Sequence, residues 1–387
     1  MTERAHHDLS AQGRTIGWAV VGLGKFTTER LLPAFAHCHH SRLAALVSGS
    51  TEKLGRLGEQ HGVPAEHRYD YSAFERLRDD RSVDAVYIVL PNALHAEYTI
   101  RAARAGKHVL CEKPMATSSA DALAMINICR ASQRLLMIAY RARFEPHNRA
   151  AIAAVRAGEV GALRGVVADH ARPLDPADPA DGWRTRHALA GGGSLVDIGI
   201  YGLNAARYLT GEEPLEVSGM VTSPAGDERF TEVEETASFL LRFPSGAVAT
   251  GTSSYGAERI KRVHAYGSQG RLELDPATEY EGNRLRIGSG PDMAPRDVPP
   301  GDQFALQIDH LSRCILDGTA PLTPGEEGLR DMYLIEAIYQ SARTGERVQL
   351  DPHTGAPLPP PTRSSMMPGK ATSDHDDFKP VHARFPD

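Results

Sequence analysis

The sequence predicts an α/β protein of two domains: a parallel sheet covered by helices on both faces, then an α+β unit built on an antiparallel sheet. Three observations carry this. Residues 15 to about 138 alternate apolar strand-length runs with helix-like stretches, and a glycine loop joins the first strand to the first helix. From about residue 161 the pattern changes to strand-length segments joined by short turns. With 387 residues, 41% hydrophobic and 24% charged, the chain has material for two soluble cores.

Thr15 to Val21 reads as the first strand, followed by a helix that starts in the glycine loop and runs through Leu31 to Ala36. Arg42 to Ser48 is the second strand, and a helix around Lys53 to Gln60 follows. Ala85 to Leu90 is a continuous apolar run, as in a strand buried on both faces, and Pro91 ends it. A helix from about Ala93 to Ala105 leads to the strand His108 to Cys111, and a helix near Ser119 to Ala131 precedes the strand Leu135 to Tyr140. The domain boundary is expected there. The division is a tail over 1–13, a nucleotide-binding domain over 14–140, an α+β domain over 141–350 and a Pro-rich tail over 351–387, the last extended or disordered.

In the second domain the strands are Leu163 to Ala171, Leu215 to Thr222, Glu235 to Phe243, Ala247 to Ser254, Arg262 to Tyr266 and Arg271 to Leu274. Pro244-Ser245-Gly246 and Gly267-Ser268-Gln269-Gly270 are hairpin signals between neighbours in this meander. Two helices, Phe304 to Leu316 and Gly325 to Arg343, are expected to close the domain.

A net charge of -6 and a pI near 6.3 give no basic footprint for nucleic acid or anionic lipid, which leaves a small-molecule ligand. Cys38, Cys111, Cys129 and Cys314 show neither a CxxC pair nor zinc-like spacing, so they are expected as reduced, buried thiols, with no metal site. The start has no twin arginine or apolar signal core, and no segment is long enough to span a bilayer; the cytoplasm is the expected compartment.

Val20-Val21-Gly22-Leu23-Gly24-Lys25-Phe26-Thr27 follows a strand and opens a helix, the context in which a glycine string becomes a dinucleotide site. Gly22 allows the tight turn, and Gly24 lets the backbone approach a pyrophosphate resting on the helix N-terminus; Lys25 and Phe26 complete the loop. Thr27 stands where glycine or alanine is usual. At the end of the second strand an acidic residue would bind a ribose 2′-hydroxyl, but here stand Ser48, Gly49 and Ser50, with Lys53 one turn on. Two serines and a lysine suit a 2′-phosphate, so NADP is favoured over NAD; Ser48 to Thr51 can also cap the next helix. Pro91, Asn92 and His95 follow a later strand, where Asn92 and His95 could reach the ribose or nicotinamide or, for His95, cap a helix.

Asp197 and Tyr201, behind the run Gly191-Gly192-Gly193, are spaced to share one helix face. Lys113, in Cys111-Glu112-Lys113-Pro114, brings positive charge that favours a phenolate and makes a tyrosine usable as acid and base. Tyr140, Arg141 and Glu145 follow the last strand of the first domain and can face the interdomain crevice, as can Trp183 and Arg184. Tyr140 and Glu145 are expected with the substrate; Glu112, Arg141, Trp183 and Arg184 are expected with the cofactor. Interdomain packing is the alternative for these side chains.

The glycine loop, Glu112-Lys113-Pro114 and Asp197 with Tyr201 together resemble the glucose-fructose oxidoreductase / inositol dehydrogenase (Gfo/Idh/MocA) family. The match runs over roughly residues 14 to 350. Ile16 to Phe26, Tyr87 to Glu97, Gly106 to Thr117, Tyr140 to Ala151 and Gly191 to Pro214 are most similar to its glucose-fructose oxidoreductase branch. The resemblance implies a Rossmann NAD(P)-binding domain and a C-terminal α+β domain with a large, mostly antiparallel sheet, whose outer face makes homodimers or homotetramers. It implies Lys113 as the catalytic lysine, Tyr201 as proton donor and acceptor, and Asp197 as the hydrogen-bonded partner of Tyr201. Tyrosine where other members carry histidine points to aldose chemistry. The chemistry this implies is hydride transfer between C1 of a cyclic sugar and the nicotinamide, giving a lactone, with coupled reduction of a second sugar as the open option. The other readings are a polyol or inositol-type dehydrogenase with exchangeable cofactor, and a non-enzymatic dinucleotide sensor on the same scaffold. That branch's export signal and cofactor-covering arm are not expected from the dozen polar residues before the first strand; the Pro-rich tail is the candidate substitute.

Overall fold

The computed structural model describes residues 13–175, 178 and 181–359. Its first sheet has six strands: β1 Ile16–Val21, β2 Ser41–Val47, β3 Arg68–Tyr69, β4 Ala85–Ile88, β5 His108–Glu112 and β6 Leu136–Ala139. All pair in parallel, in the spatial order β3-β2-β1-β4-β5-β6. Strand order reverses between β1 and β4, so the turns leaving these two strands open a crevice at their carboxyl ends. Every residue of β1 and β4 is buried, which is why both read as unbroken apolar runs.

The second sheet has nine strands: β7 Leu163–Ala171, β8 Glu216–Thr222, β9 Thr236–Arg242, β10 Val248–Ser254, β11 Ile260–Gly267, β12 Arg271–Leu274, β13 Leu285–Gly288, β14 Ala294–Pro295 and β15 Val348–Gln349. Their order is β14-β13-β12-β11-β7-β10-β9-β8-β15. Every pair is antiparallel except β7 with β10, so β7 is inserted in the middle of what the sequence suggested was a simple meander. The insertion places the end of β7, at His170 and Ala171, beside the start of β11 and over the crevice.

One expectation about packing is overturned. The helix Gln303–Asp317, capped by Asp302 through Phe304 N–H at 2.9 Å, does not close the second domain. Its Phe304, Ile308 and Leu311 join Ile16, Trp18 and Val20 in the core on one face of the first sheet. Ser312 fixes the register by accepting from the Trp18 indole N–H at 3.0 Å. An amphipathic stripe says that a helix is buried but not against what; burying each such aliphatic side chain stabilises by about 1.5–3 kcal/mol wherever it lands. The other closing helix, Gly325–Thr344, packs on β8 as expected and also on β6 and the helix Ser119–Ala131.

The helix Ile200–Thr210, which carries Tyr201, is anchored to Gly325–Thr344 by a buried ionic cluster. Arg207 donates to Glu213 at 2.7 Å, Glu327 at 3.1 Å and Asp331 at 2.6 Å. Burial pushes Asp331 up to about 6, Arg207 pulling down and the Glu327 carboxylate pushing up. Its folded pKa therefore lies above the unfolded value, so its contribution is fully present below about pH 4 and is lost as pH rises through about 6. Asp331→Asn is expected to flatten stability against pH between about pH 4 and pH 7. Urea unfolding across that range checks this, and an unchanged slope would exclude Asp331 as the titrating group.

Three cysteines are buried and Cys38 is half-buried, all as thiols. Among the described residues no helix is long and apolar enough to cross a membrane. Of the Pro-rich tail, residues 351–359 fold back, with Asp351 capping a turn and Leu358 N–H bonded to Gln349 O at 2.8 Å. The remainder of the tail expected to be extended or disordered, residues 360–387, lies outside the described residues, as does the tail over residues 1–12.

Candidate active site

A cleft of about 730 Å³ runs from the glycine loop to the ends of β7 and β11. At its first end Gly22 has φ +97°, and a Cβ there would strike the Val89 carbonyl oxygen, so only glycine fits. Nothing lies within 4 Å of where a Gly24 Cβ would stand, leaving room for a ligand to meet the backbone. Thr27 is fully buried and its hydroxyl donates to Gly22 O at 2.8 Å, tying helix to turn where glycine or alanine is usual. The helical ladder opens with Thr28 N–H to Gly24 O at 3.0 Å, and the amides before it point beyond the helix end. A dinucleotide pyrophosphate fits this cradle. Phe26 is held by Phe304 and Tyr280, with ring centroids at 5.5 and 6.0 Å.

At the end of β2, Ser48 is buried and lines the cleft, and Lys53 reaches back to donate to Leu23 O at 3.1 Å. Ser50 serves the capping alternative, accepting from Lys53 N–H at 3.2 Å; neither it nor Gly49 lines the cleft. Pro91 and Asn92 line it, and the Asn92 amide is pinned to Ala190 O at 2.8 Å.

His95 is not at the cleft. It is fully buried, its nitrogens 2.8 Å from Pro114 O and 2.9 Å from Leu90 O, and burial pulls its pKa down to about 4. As a neutral ring it has one N–H to give to one of these two carbonyls, and it packs between the Leu90 turn and the Lys113–Pro114 turn in place of the expected cofactor contact. Tyr140 and Glu145 are also corrected. Tyr140 lies in the apolar core, because adjacent side chains leaving β6 point to opposite sides and Arg141 takes the cleft side. Glu145 caps the helix Pro146–Arg156 through Asn148 N–H at 2.8 Å and also binds His147 at 2.8 Å.

Lys113, Tyr201, Asp197, Arg141, Trp183 and Arg184 all line the cleft. Lys113 Nζ donates to Asp197 O at 2.6 Å and Asp197 Oδ1 at 3.3 Å, and sits 4.8 Å from the Tyr201 ring centroid. Burial lowers the Lys113 pKa, but Tyr201, Asp197 and Glu112 outweigh it and hold the ammonium above its ordinary value. Glu112, accepting from Tyr87 OH at 2.7 Å, is pushed up by burial.

The expected Asp197–Tyr201 hydrogen bond is absent. Leu195–Gly199 is a π-helical turn, and the wider spacing takes Asp197 out of register with Tyr201. Glu234 holds this turn, accepting from Gly193 N–H and Leu195 N–H at 2.9 Å each. Asp197 instead accepts from Tyr255 OH at 2.8 Å and Arg184 Nε at 3.1 Å, with Arg172 at 3.7 Å. Burial opposes ionisation, yet Lys113, Arg184 and Arg172 hold Asp197 far below the carboxylate range, a permanent anion.

The Tyr201 oxygen accepts from Arg141 Nε at 3.1 Å, and its ring stacks on His170 at 5.6 Å. Burial, with Lys261, Arg141 and Lys113 nearby, pushes His170 down to about 3, so this wall is a neutral ring. Burial, against a hydrogen bond to Glu279 and with help from Arg141, lowers Lys261 to about 8. His170, Arg172, Tyr255, Lys261 and Tyr280 were not foreseen; their one signal was position, at or just beyond the ends of β7, β10, β11 and β12.

A family model described as an oxidoreductase family with an NAD-binding Rossmann fold (GFO/IDH/MocA) matches residues 16–140. A second, the GFO/IDH/MocA C-terminal domain, matches residues 148–273. The NADP(+) D-xylose 1-dehydrogenase of Haloarcula marismortui is 32% identical over 351 residues, 90% of this chain and 97% of that enzyme. A dTDP-3,4-didehydro-2,6-dideoxy-alpha-D-glucose 3-reductase of Streptomyces violaceoruber is 37% identical over 363 residues, 87% of this chain and 98% of its own. The crystal structure of aldose-aldose oxidoreductase from Caulobacter crescentus, complexed with glycerol, is 51% identical and superposes with a TM-score of 0.84, covering 87% of this chain and all of that one.

Proposed function

The chain belongs to the Gfo/Idh/MocA oxidoreductase family, and from that premise we propose that it is an NADP-dependent sugar oxidoreductase acting at C1 of a cyclic aldose. The observation that carries this is the meeting of Lys113 and Tyr201, 4.8 Å apart, in one cleft with the glycine loop. Residues 14–140 serve as the cofactor domain and 141–350 as the substrate domain, with the helix Gln303–Asp317 reaching back across the division.

Gly22, Gly24, Ser48, Lys53 and Asn92 would hold the dinucleotide, which when bound accepts or returns a hydride. Cationic side chains outnumber carboxylates along the cleft nine to five, a surplus that suits several phosphates. Tyr201 takes the C1 hydroxyl proton during oxidation to the lactone and returns one in reduction. Lys113 and Asp197 fix charge and geometry around it, and Trp183, beneath Arg184 at 4.5 Å, offers an aromatic face to the sugar or nicotinamide.

The D-xylose and aldose-aldose activities of the relatives support an aldose as substrate. Coupled reduction of a second sugar would require NADP to stay bound between turnovers. NADP emerging with the protein from gel filtration supports that recycling; loss of it supports a dehydrogenase with exchangeable cofactor. Absence of reduction with every aldose and polyol would leave a dinucleotide sensor. Mass spectrometry of ligands released from purified protein, followed by an aldose panel, tests the assignment.

Lys53→Ala is expected to raise KM for NADP by about tenfold, roughly 1.4 kcal/mol, and leave KM for NAD unchanged. Equal changes for both cofactors in initial-rate assays would remove Lys53 from 2′-phosphate recognition. The outer face of the second sheet exposes Met220 at 70%, Leu240 at 45% and Tyr266 at 40%, apolar surface that fits a homodimer or homotetramer. The working compartment is the cytoplasm.

A further inference from the structure

Arg141 is 5% exposed, and all the hydrogen-bond partners of its guanidinium are uncharged. Nη1 donates to Gln303 Oε1 at 2.8 Å and Glu279 O at 3.3 Å, Nη2 to Thr278 O at 2.7 Å, and Nε to the Tyr201 oxygen at 3.1 Å. The rings of Tyr201 and Tyr280 lie 5.0 and 4.7 Å from its Cζ. A buried cation is costly unless an anion answers it, and of these acceptors only the phenol oxygen can become one. Lys113 is differently placed: it donates to Asp197 at 2.6 and 3.3 Å and lies 4.8 Å from the Tyr201 ring centroid, so it acts on the phenol through its charge, while the hydrogen bond to the phenol oxygen comes from Arg141.

We propose that Arg141 is the positioning residue for Tyr201, its Nε–H directed at the phenol oxygen so that the negative charge on that oxygen is stabilised whenever it awaits the sugar proton. The inference rests on the reading of Tyr201 as the proton-moving group, and it adds a hydrogen bond from Arg141 to the positive charge that Lys113 brings to the phenol. In oxidation the C1–H bond releases hydride to NADP, the C1 O–H proton passes to the Tyr201 oxygen, and the electron pair left on oxygen forms the C=O bond of the lactone. Arg141 keeps its own protons throughout. The groups facing this pair are Glu112 and Lys113 at the end of β5, Asp197 before the Tyr201 helix, His170 on β7, Lys261 on β11, and Tyr280 with Glu279 from the loop after β12. Glu279 is neutralised by Arg259 at 2.6 Å and Lys261 at 2.9 Å.

The test is the pH profile of aldose oxidation by the NADP-bound enzyme, for wild type, Arg141→Met and Arg141→Lys. In Arg141→Met kcat is expected to fall about 10²- to 10³-fold at neutral pH, as when one donor to a developing oxyanion is removed. The loss is expected to shrink as pH rises, with the plateau displaced upward by about 1–2 pH units and KM for NADP unchanged. Arg141→Lys, which keeps a cation, should recover part of the rate. A loss equal at every pH, or a raised KM for NADP with kcat intact, would overturn the proposal in favour of packing or cofactor binding. Should Arg141→Met not fold, Arg141→Gln, which keeps a polar donor and loses the charge, takes its place, and an unshifted profile there would overturn the proposal. No sugar turnover in wild type would instead sink the parent reading.

Discussion

Lys113→Met is expected to lower kcat for sugar oxidation by about 10²- to 10³-fold, the range for loss of one electrostatic contact at a reacting centre, while NADP still binds. The side chain is 11% exposed and touches the two residues that matter, Asp197 at 2.6 and 3.3 Å and the Tyr201 ring at 4.8 Å. Its loss frees Asp197 from one of several partners, but Tyr255, Arg184 and Arg172 remain, so the fold should survive. The folded pKa of Lys113 is raised, so its contribution to stability is complete below its ordinary value near about 10.4 and is lost only as pH rises through the folded value. Lys113 should therefore put no limb into the pH-rate profile near neutrality. Steady-state kinetics with NADP titration checks both statements, and a kcat within about threefold of wild type would remove Lys113 from the chemistry.

Arg207→Met should be the most destabilising single change described here, costing about 3–5 kcal/mol in urea unfolding, the usual penalty for breaking a buried ion cluster from one side. Arg207 is 3% exposed and answers Glu213, Glu327 and Asp331 at once. Without it those carboxylates face each other, relieved in part by Arg143 to Glu327 at 3.3 Å, Arg330 to Glu213 at 3.5 Å, and the Asn204 amide, which donates to Glu327 at 3.0 Å and Asp331 at 3.1 Å. Part of the loss should be recovered in Arg207→Met with Asp331→Asn, because the second change removes the most deeply buried of the stranded charges. A cost below about 1 kcal/mol would place the cluster with surface ion pairs. Because Tyr201 begins the same helix, local loosening should also appear as faster hydrogen exchange around the site.

The elements of the first domain were legible because a strand buried on both faces and a glycine turn with φ +97° leave strong local marks. Lys113 and Tyr201 were legible as cleft residues for a similar reason: a lysine ending a strand and a tyrosine behind a glycine run are short-range patterns. What could not be read was anything that depends on where a surface docks. The helix Gln303–Asp317 showed its apolar stripe but not that Trp18 and Ile16 would receive it. Tyr140 and Glu145 had the right place in the chain and the wrong direction, since one residue's difference after β6 turns a side chain from cleft to core. The separation of Asp197 from Tyr201 came from a π-helical turn, and a four-residue spacing looks the same in sequence whether the turn is α or π. Arg172 and Tyr255 come to Asp197 from two strands brought together only by the sheet.

The most direct measurement follows deuterium from C1 of a labelled aldose in the presence of NADP. The label is expected in the reduced cofactor, with the sugar leaving as its lactone, and transfer should be seen in wild type and almost none in Tyr201→Phe at equal NADP occupancy. Unlabelled reduced cofactor, or transfer undiminished in Tyr201→Phe, would contradict this expectation.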